Sequence, residues 1–273
     1  AAYPVTLTLG VPAGATNHVP SGIIGDLADR PLTLIKSGPG LLKLTGQLGF
    51  NGGISVGNGV VEIDSPEALG DGDLSFGTGG KLELQEGGRL ERMVYVANQA
   101  FGNDRSTRLV ARSGSTVTLT RGIEIPRAYE FGGFAIQPHD DVERIGGGRD
   151  DAIPLTRVNF DGARLGYLDL YLLGDALPGT GRALHYWTNV RGGLRKLASG
   201  NETVDGCDVV FGAGCDFSAN WFDLSGTNAV VSITNGAVVR SLSEVRFVDG
   251  NQTQLSLDGG VFQVGVIGVA NAN

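Results

Sequence analysis

The sequence predicts an all-β fold: a right-handed parallel β-helix whose short strands stack coil upon coil, with one irregular excursion. Three observations predict it. Glycine supplies 45 of 273 residues, roughly twice its usual share of about 7%. Aromatic residues make up only 7%, and the apolar residues are mostly Val, Leu, Ile and Ala. A strand–glycine turn–strand unit recurs along the chain.

Glycine destabilises helix interiors and serves tight turns, so this content implies many short elements joined by turns. No Gly-X-Y period is present, which excludes collagen. A hydrophobic share of 41% is too high for a disordered chain. The aliphatic bias implies a core of stacked aliphatic rows rather than a few large rings.

The repeat supplies the architecture. It runs from Leu32 to Gly46 (LTLIKSGPGLLKLTG), Ile54 to Asp64 (ISVGNGVVEID) and Leu74 to Gly88 (LSFGTGGKLELQEGG). The turn glycines Gly40, Gly59 and Gly80 fall about 20 residues apart, within the range of solenoid repeats. Weaker copies surround Ser115, Gly236 and Gly260. Alternate residues are apolar: Leu32, Leu34, Leu42 and Leu44, then Ile54, Val56, Val61 and Ile63. Period-two alternation sends one side of each strand inward and the other toward solvent. Two short strands cannot bury an apolar face alone. Stacked copies can, each strand pairing with its equivalents about 4.8 Å above and below. A β-meander would use the same turns without needing successive units to resemble one another.

Lys36, Gly38, Gly40 and Leu41, followed by Phe50, Gly52, Gly53 and Val56 and then Gly59, form a longer pattern. It resembles the autotransporter-associated β-strand repeat, specifically over Leu32 to Leu84 and more generally over Arg108 to Ile125 and Ala229 to Val269. The resemblance implies a right-handed parallel β-helix exported to the cell surface or beyond. Nothing after Gly226 has the length of a C-terminal translocator barrel, so a cleaved passenger or a stand-alone secreted protein is expected.

Residues 126–219 break the pattern. The polar stretch Ile136 to Pro154 (IQPHDDVERIGGGRDDAIP) reads as a long excursion within a single domain of residues 1–273. Four aromatics, Tyr167, Tyr171, Tyr186 and Trp187, follow it in LGYLDLYLL and ALHYWTNV. Excursions of this kind carry function or brace a fold.

A formal charge of −8 argues against nucleic acid and against adsorption to anionic lipid. No apolar run approaches the roughly 20 residues needed to span a bilayer, so no membrane insertion is expected. The chain opens Ala1-Ala2-Tyr3 without an initiator Met, as after signal-peptidase cleavage or trimming. Cys207 and Cys215, in CDVVFGAGC, are expected to close a short disulfide loop in an oxidising compartment. Together these signs predict a secreted or cell-surface location.

Chemistry is sparse. Acidic β-helix enzymes group carboxylates, and the candidates here are Asp140-Asp141, Asp150-Asp151, and Asp71 with Asp73. Adjacent strand residues face opposite sides, so neither adjacent pair converges on one atom. The Asp71-Gly72-Asp73 turn suits a calcium ion or ordinary turn chemistry. His18, His139 and His185 are scattered, and no nucleophile elbow, zinc-binding helix or phosphate loop is present. No catalytic residue, metal site or cofactor is therefore expected. His185, Tyr186, Trp187 and Trp221 are candidates for an aromatic platform under sugar rings, or for closing an irregular end of the core.

The ends carry the strongest functional hint. The chain begins with strand-like YPVTLTLGVP and finishes with VFQVGVIGV, with no capping amphipathic helix. An open terminal coil exposes unpaired strand edges. The expectation is a structural or adhesive solenoid that associates head to tail with its own kind into fibres or filaments. Surface glycans are a second class of partner. The alternatives are a polysaccharide-active β-helix lyase or hydrolase, and a phage-type receptor-binding fibre.

Overall fold

Strands of successive coils pair in parallel throughout the computed structural model, as the repeat requires. The residues described are 5–22, 24–26, 30–96, 107–111, 115–124, 133–138, 155–161, 164–165, 169–173, 182–188, 190–193, 201–205, 208–225, 230–247 and 254–269. Three ladders run through them. The first face stacks Val5–Gly10, Leu32–Ser37, Ile54–Val56, Leu74–Phe76, Met93–Val96, Gly122–Glu124, Arg164–Leu165 and Arg191–Gly193. The second face stacks Thr16–Val19, Leu41–Leu44, Gly59–Ile63, Gly80–Leu84, Arg108–Ala111, Gly133–Pro138, Asp169–Leu173 and Asn201–Asp205. Three long strands, Asp216–Ser225, Val238–Phe247 and Val261–Val269, then continue both faces at once, joining them into a 19-stranded sheet.

The third face is a separate 7-stranded sheet: Gly88–Leu90, Thr116–Leu119, Leu155–Asp161, Arg182–Thr188, Asp208–Phe211, Val230–Thr234 and Gln254–Asp258. The fold is a parallel β-solenoid. Among the described residues there is no α-helix, only a 3-10 turn at Pro66–Leu69.

The alternation read from the sequence sets the core. Leu32, Leu34, Leu42, Leu44, Ile54, Val56, Val61 and Ile63 are all buried, and like stacks on like. One first-face row runs Leu7, Leu34, Ile54, Leu74, Val94 and Ile123. Each such side chain contributes about 1.5–3 kcal/mol when removed from water. Before Gly88 no described strand closes the third side. Ile24, Leu48, Phe50, Ala68 and Leu69 fill it from loops and the 3-10 turn.

The first corner explains the glycine spacing. Gly40, Gly59 and Gly80 share one register position. A Cβ on Gly59, where φ is +75°, would lie 2.5 Å from the Gly38 carbonyl oxygen; on Gly80 it would lie 2.3 Å from that of Val56. Stacked backbones leave no room there for any side chain.

Within residues 126–219 every described strand continues one of the three ladders. The charged run 139–154 lies outside the described residues. In the sequence that run separates Gly133–Pro138 from Leu155–Asp161, two strands that pair within the ladders on either side of it.

The weaker repeat copies are not equivalent to the strong ones. The units around Gly40, Gly59 and Gly80 turn from the first face to the second, whereas those around Gly236 and Gly260 turn from the third to the first. Nor is the core aliphatic throughout. Trp187, Phe211, Phe217 and Phe222 interlock in the later coils, with ring centroids 4.8 Å apart for Trp187–Phe211 and 4.9 Å for Trp187–Phe217, both edge-on.

Candidate functional site

Alternation along Arg182–Thr188 divides the proposed aromatic platform. His185 and Trp187 occupy inward rows of the third face, at the registers of Val209 and Phe211, and both are 0% exposed. Neither can meet a sugar ring, which removes them as ligand-binding candidates. Tyr186 lies on the opposite side of the strand, half-buried, with its hydroxyl beside the corner at Gly212. Trp221 lies on the second face, half-buried. The four residues therefore form no common surface.

The expected disulfide is absent. Cys215 is a free, buried thiol that donates to the Trp187 carbonyl oxygen at 3.2 Å. Burial pushes this thiol up from its ordinary range. Cys207 lies outside the described residues. The segment that reads as a short loop contains the extended strand Asp208–Phe211 and a corner at Gly212–Gly214. A strand advances about 3.3 Å per residue, whereas bridged cysteines need Cα atoms about 4.4–6.8 Å apart.

At the Asp71-Gly72-Asp73 turn an arginine supplies the positive charge. Arg92, one coil on, donates from Nη1 to the carbonyl oxygens of Leu69 (3.3 Å), Gly70 (2.5 Å) and Gly72 (3.1 Å). The carboxylates of Asp71, Asp73 and Glu67 favour its charge, although burial of the guanidinium opposes it more strongly. The site is built as a side-chain staple between coils. Among the described residues, no three His, Cys, Asp or Glu side chains are grouped to hold a metal ion.

Lys36 is a second internal cation, and alternation alone does not reveal its role. It is fully buried at an inward position between Leu9 and Val56. Its Nζ donates to the carbonyl oxygens of Ser37 (3.2 Å), Gly38 (2.6 Å) and Asn58 (3.0 Å), tying two coils together at the glycine corner. Desolvation lowers its pKa below the ordinary lysine value. The Lys-x-Gly-x-Gly-Leu spacing thus has a physical meaning: an ammonium beneath a corner too tight for side chains. The one available signal was a lysine at an inward register.

On the outer surface, charged side chains pair between coils. Arg246 makes two 2.6 Å bonds to Asp223 and lies 5.1 Å over the Trp221 ring. The paired carboxylate holds its guanidinium above the ordinary arginine value. On the first face, Arg240 bridges Asp216 and Gln263.

The last described coil, residues 254–269, has Asp258 as its only ionisable side chain, and Leu257 (55%) and Val261 (46%) are exposed. Leu257 continues the inward row of Phe211 and Ile233, exposed because no described strand lies beyond it. At the other end Val5, Leu7 and Leu9 are only partly covered. A scan of family models, a search of curated proteins and a search of solved structures each found no match to this chain.

Proposed function

We propose that this chain is a structural or adhesive solenoid of the extracellular surface that associates with copies of itself through its terminal coils. One observation carries the reading: the last described coil exposes Leu257 and Val261 and offers a long strand, Val261–Val269, with nothing on it to resist pairing. Edge strands normally resist pairing through lysines, prolines, bulges or covering segments. Val5–Gly10 and Val261–Val269 contain no charged residue and no proline, whereas the interior strands of the second face, which Val261–Val269 also continues, carry Lys43, Glu62, Lys81 and Glu83. The resemblance of residues 32–84 to an autotransporter passenger repeat supports the surface location.

Negative-stain electron microscopy of the purified chain tests this. Rods joined end to end are the expected result. Isolated single rods at every concentration, together with cleavage of acidic polysaccharide by the same preparation, would replace it with the β-helix enzyme reading.

A further inference from the structure

The chain holds three Asn-Gly pairs: Asn51-Gly52, Asn58-Gly59 and Asn235-Gly236. An asparagine before glycine is prone to cyclise, because a nitrogen with no neighbouring Cβ reaches the side-chain amide carbon unhindered. The fold restrains two of the three. Gly52 N–H donates to the Leu32 carbonyl at 3.0 Å, and the Asn51 carboxamide donates to Asp26 at 2.5 Å. Gly236 N–H donates to the Gly259 carbonyl at 2.8 Å. Each nitrogen must break that bond before it can act as a nucleophile. Asn58 is set differently. The residue is exposed, and its main-chain carbonyl oxygen accepts from Nζ of the fully buried Lys36 at 3.0 Å. That carbonyl belongs to the peptide whose nitrogen is Gly59. When this peptide loses its proton, negative charge spreads onto the oxygen. A cation already bonded there makes the proton easier to remove, as a donor aimed at a developing oxyanion does. The Ser37 and Gly38 carbonyls hold the ammonium in place from its own coil, so no rearrangement is needed.

We infer that Asn58 is a self-modification site, at which Lys36 promotes cyclisation onto Gly59 and loss of the side-chain amide. Hydroxide removes the Gly59 amide proton, and the nitrogen attacks Asn58 Cγ. The N–Cγ bond forms, the Cγ–Nδ2 bond breaks, and ammonia leaves with a proton from water. One water then opens the resulting succinimide. Opening at the side-chain carbonyl gives aspartate, and opening at the main-chain carbonyl gives isoaspartate. No oxidant, metal or second protein is required. The second product matters for the fold, because it inserts a methylene into the main chain at a stacked corner. There a Cβ on Gly77 would already lie 2.7 Å from the Gly57 carbonyl oxygen. The Asn58 carbonyl is also the contact by which Lys36 reaches the next coil, since Ser37 and Gly38 belong to its own. The modification therefore unties that link slowly, at a rate set by the molecule's own geometry. This holds whether or not the chain associates with copies of itself.

The test is prolonged incubation of the native 273-residue chain in mildly alkaline buffer, followed by peptide mapping with fragmentation that separates aspartate from isoaspartate. Asn58 should convert at least about tenfold faster than Asn51 or Asn235, a fraction of what one aimed donor contributes in an enzyme. In denaturing urea, where Lys36 no longer meets the Asn58 carbonyl, the three rates should converge. Lys36→Met should slow Asn58 by about tenfold. Asn51, close by in the same coil, serves as the internal control. A variant that has merely loosened would speed Asn51 as well, so the ratio of the two rates isolates the role of the ammonium. In Lys36→Met that ratio should fall toward its value in urea. An Asn58 no faster than Asn51 in the native parent would overturn the inference. So would a ratio that Lys36→Met leaves unchanged, or aspartate forming at Asn58 with no isoaspartate beside it, which would mean direct hydrolysis without a ring.

Discussion

Between Leu32 and Val96 the solenoid turns its first corner on stacked glycines with a buried ammonium beneath them, and loops close its third side. Between Asp208 and Val264 it turns the same corner within long strands, closes the third side with a strand, and fills the interior with phenylalanine rings around Trp187. The ladders are continuous across both regions. What differs is how much space each coil encloses. A narrow coil brings backbones so close that only glycine fits the corner, and the unpaired corner carbonyls then need a donor from the core. A wider coil relaxes the corner and must fill its centre with large side chains, because interiors pack to near-crystalline density.

The largest effect should come from the wide region. Trp187→Ala removes a fully buried indole from between Phe211 and Phe217 and should cost about 4 kcal/mol, read as a lowered urea midpoint. A near-neutral result would mean that the aromatic filling is dispensable and the comparison false. A paired substitution sharpens the corner argument. Gly59 and Gly236 have the same φ of +75°, but only Gly59 has backbone within 3 Å of an added Cβ. Gly59→Ala should cost about 3 kcal/mol, combining the left-handed penalty with overpacking. Gly236→Ala should cost about 1–2 kcal/mol, the left-handed penalty alone. Equal costs would show that stacking distance is irrelevant. Smaller still, Lys36→Met leaves the Ser37, Gly38 and Asn58 carbonyls without their donor. Against about 1–3 kcal/mol for the unpaired acceptors stands the relief of a buried charge. A net loss of about 1 kcal/mol is expected in chemical denaturation, and a gain would show that desolvation outweighs the three bonds.

The narrow region was legible in the sequence because its constraints are local. Strict alternation, glycine at one register and apolar residues two apart all lie within a single coil, and the buried set from Leu32 to Ile63 follows from them directly. Between the two regions the turn-to-turn spacing varies: the paired residues Ile123 and Leu165 are much further apart in sequence than Leu74 and Val94. Repeat-matching by period fails at such insertions, although the strands beyond them return to register. The reading of His185-Tyr186-Trp187 as a platform erred for a related reason. Taken as an irregular segment, the triplet lost the alternation that buries its first and third members. The internal cations were illegible on different grounds, since a lysine or arginine in a strand says nothing of which carbonyls surround it until the adjacent coil is in place.

Parallel in-register stacking also has a kinetic side. Each described strand finds its partners in the preceding and following coils, never at the far end of the chain. Closure of each new coil therefore carries the entropy of one loop, and growth can begin wherever two coils first meet and advance like a zipper. A chain delivered gradually, one end first, has a template for each arriving segment as soon as it appears. Tension along the solenoid axis would act in the opposite sense, loosening the ladders coil by coil rather than shearing them all at once. The molecule is thus suited to being wound up during delivery and to yielding in steps under load.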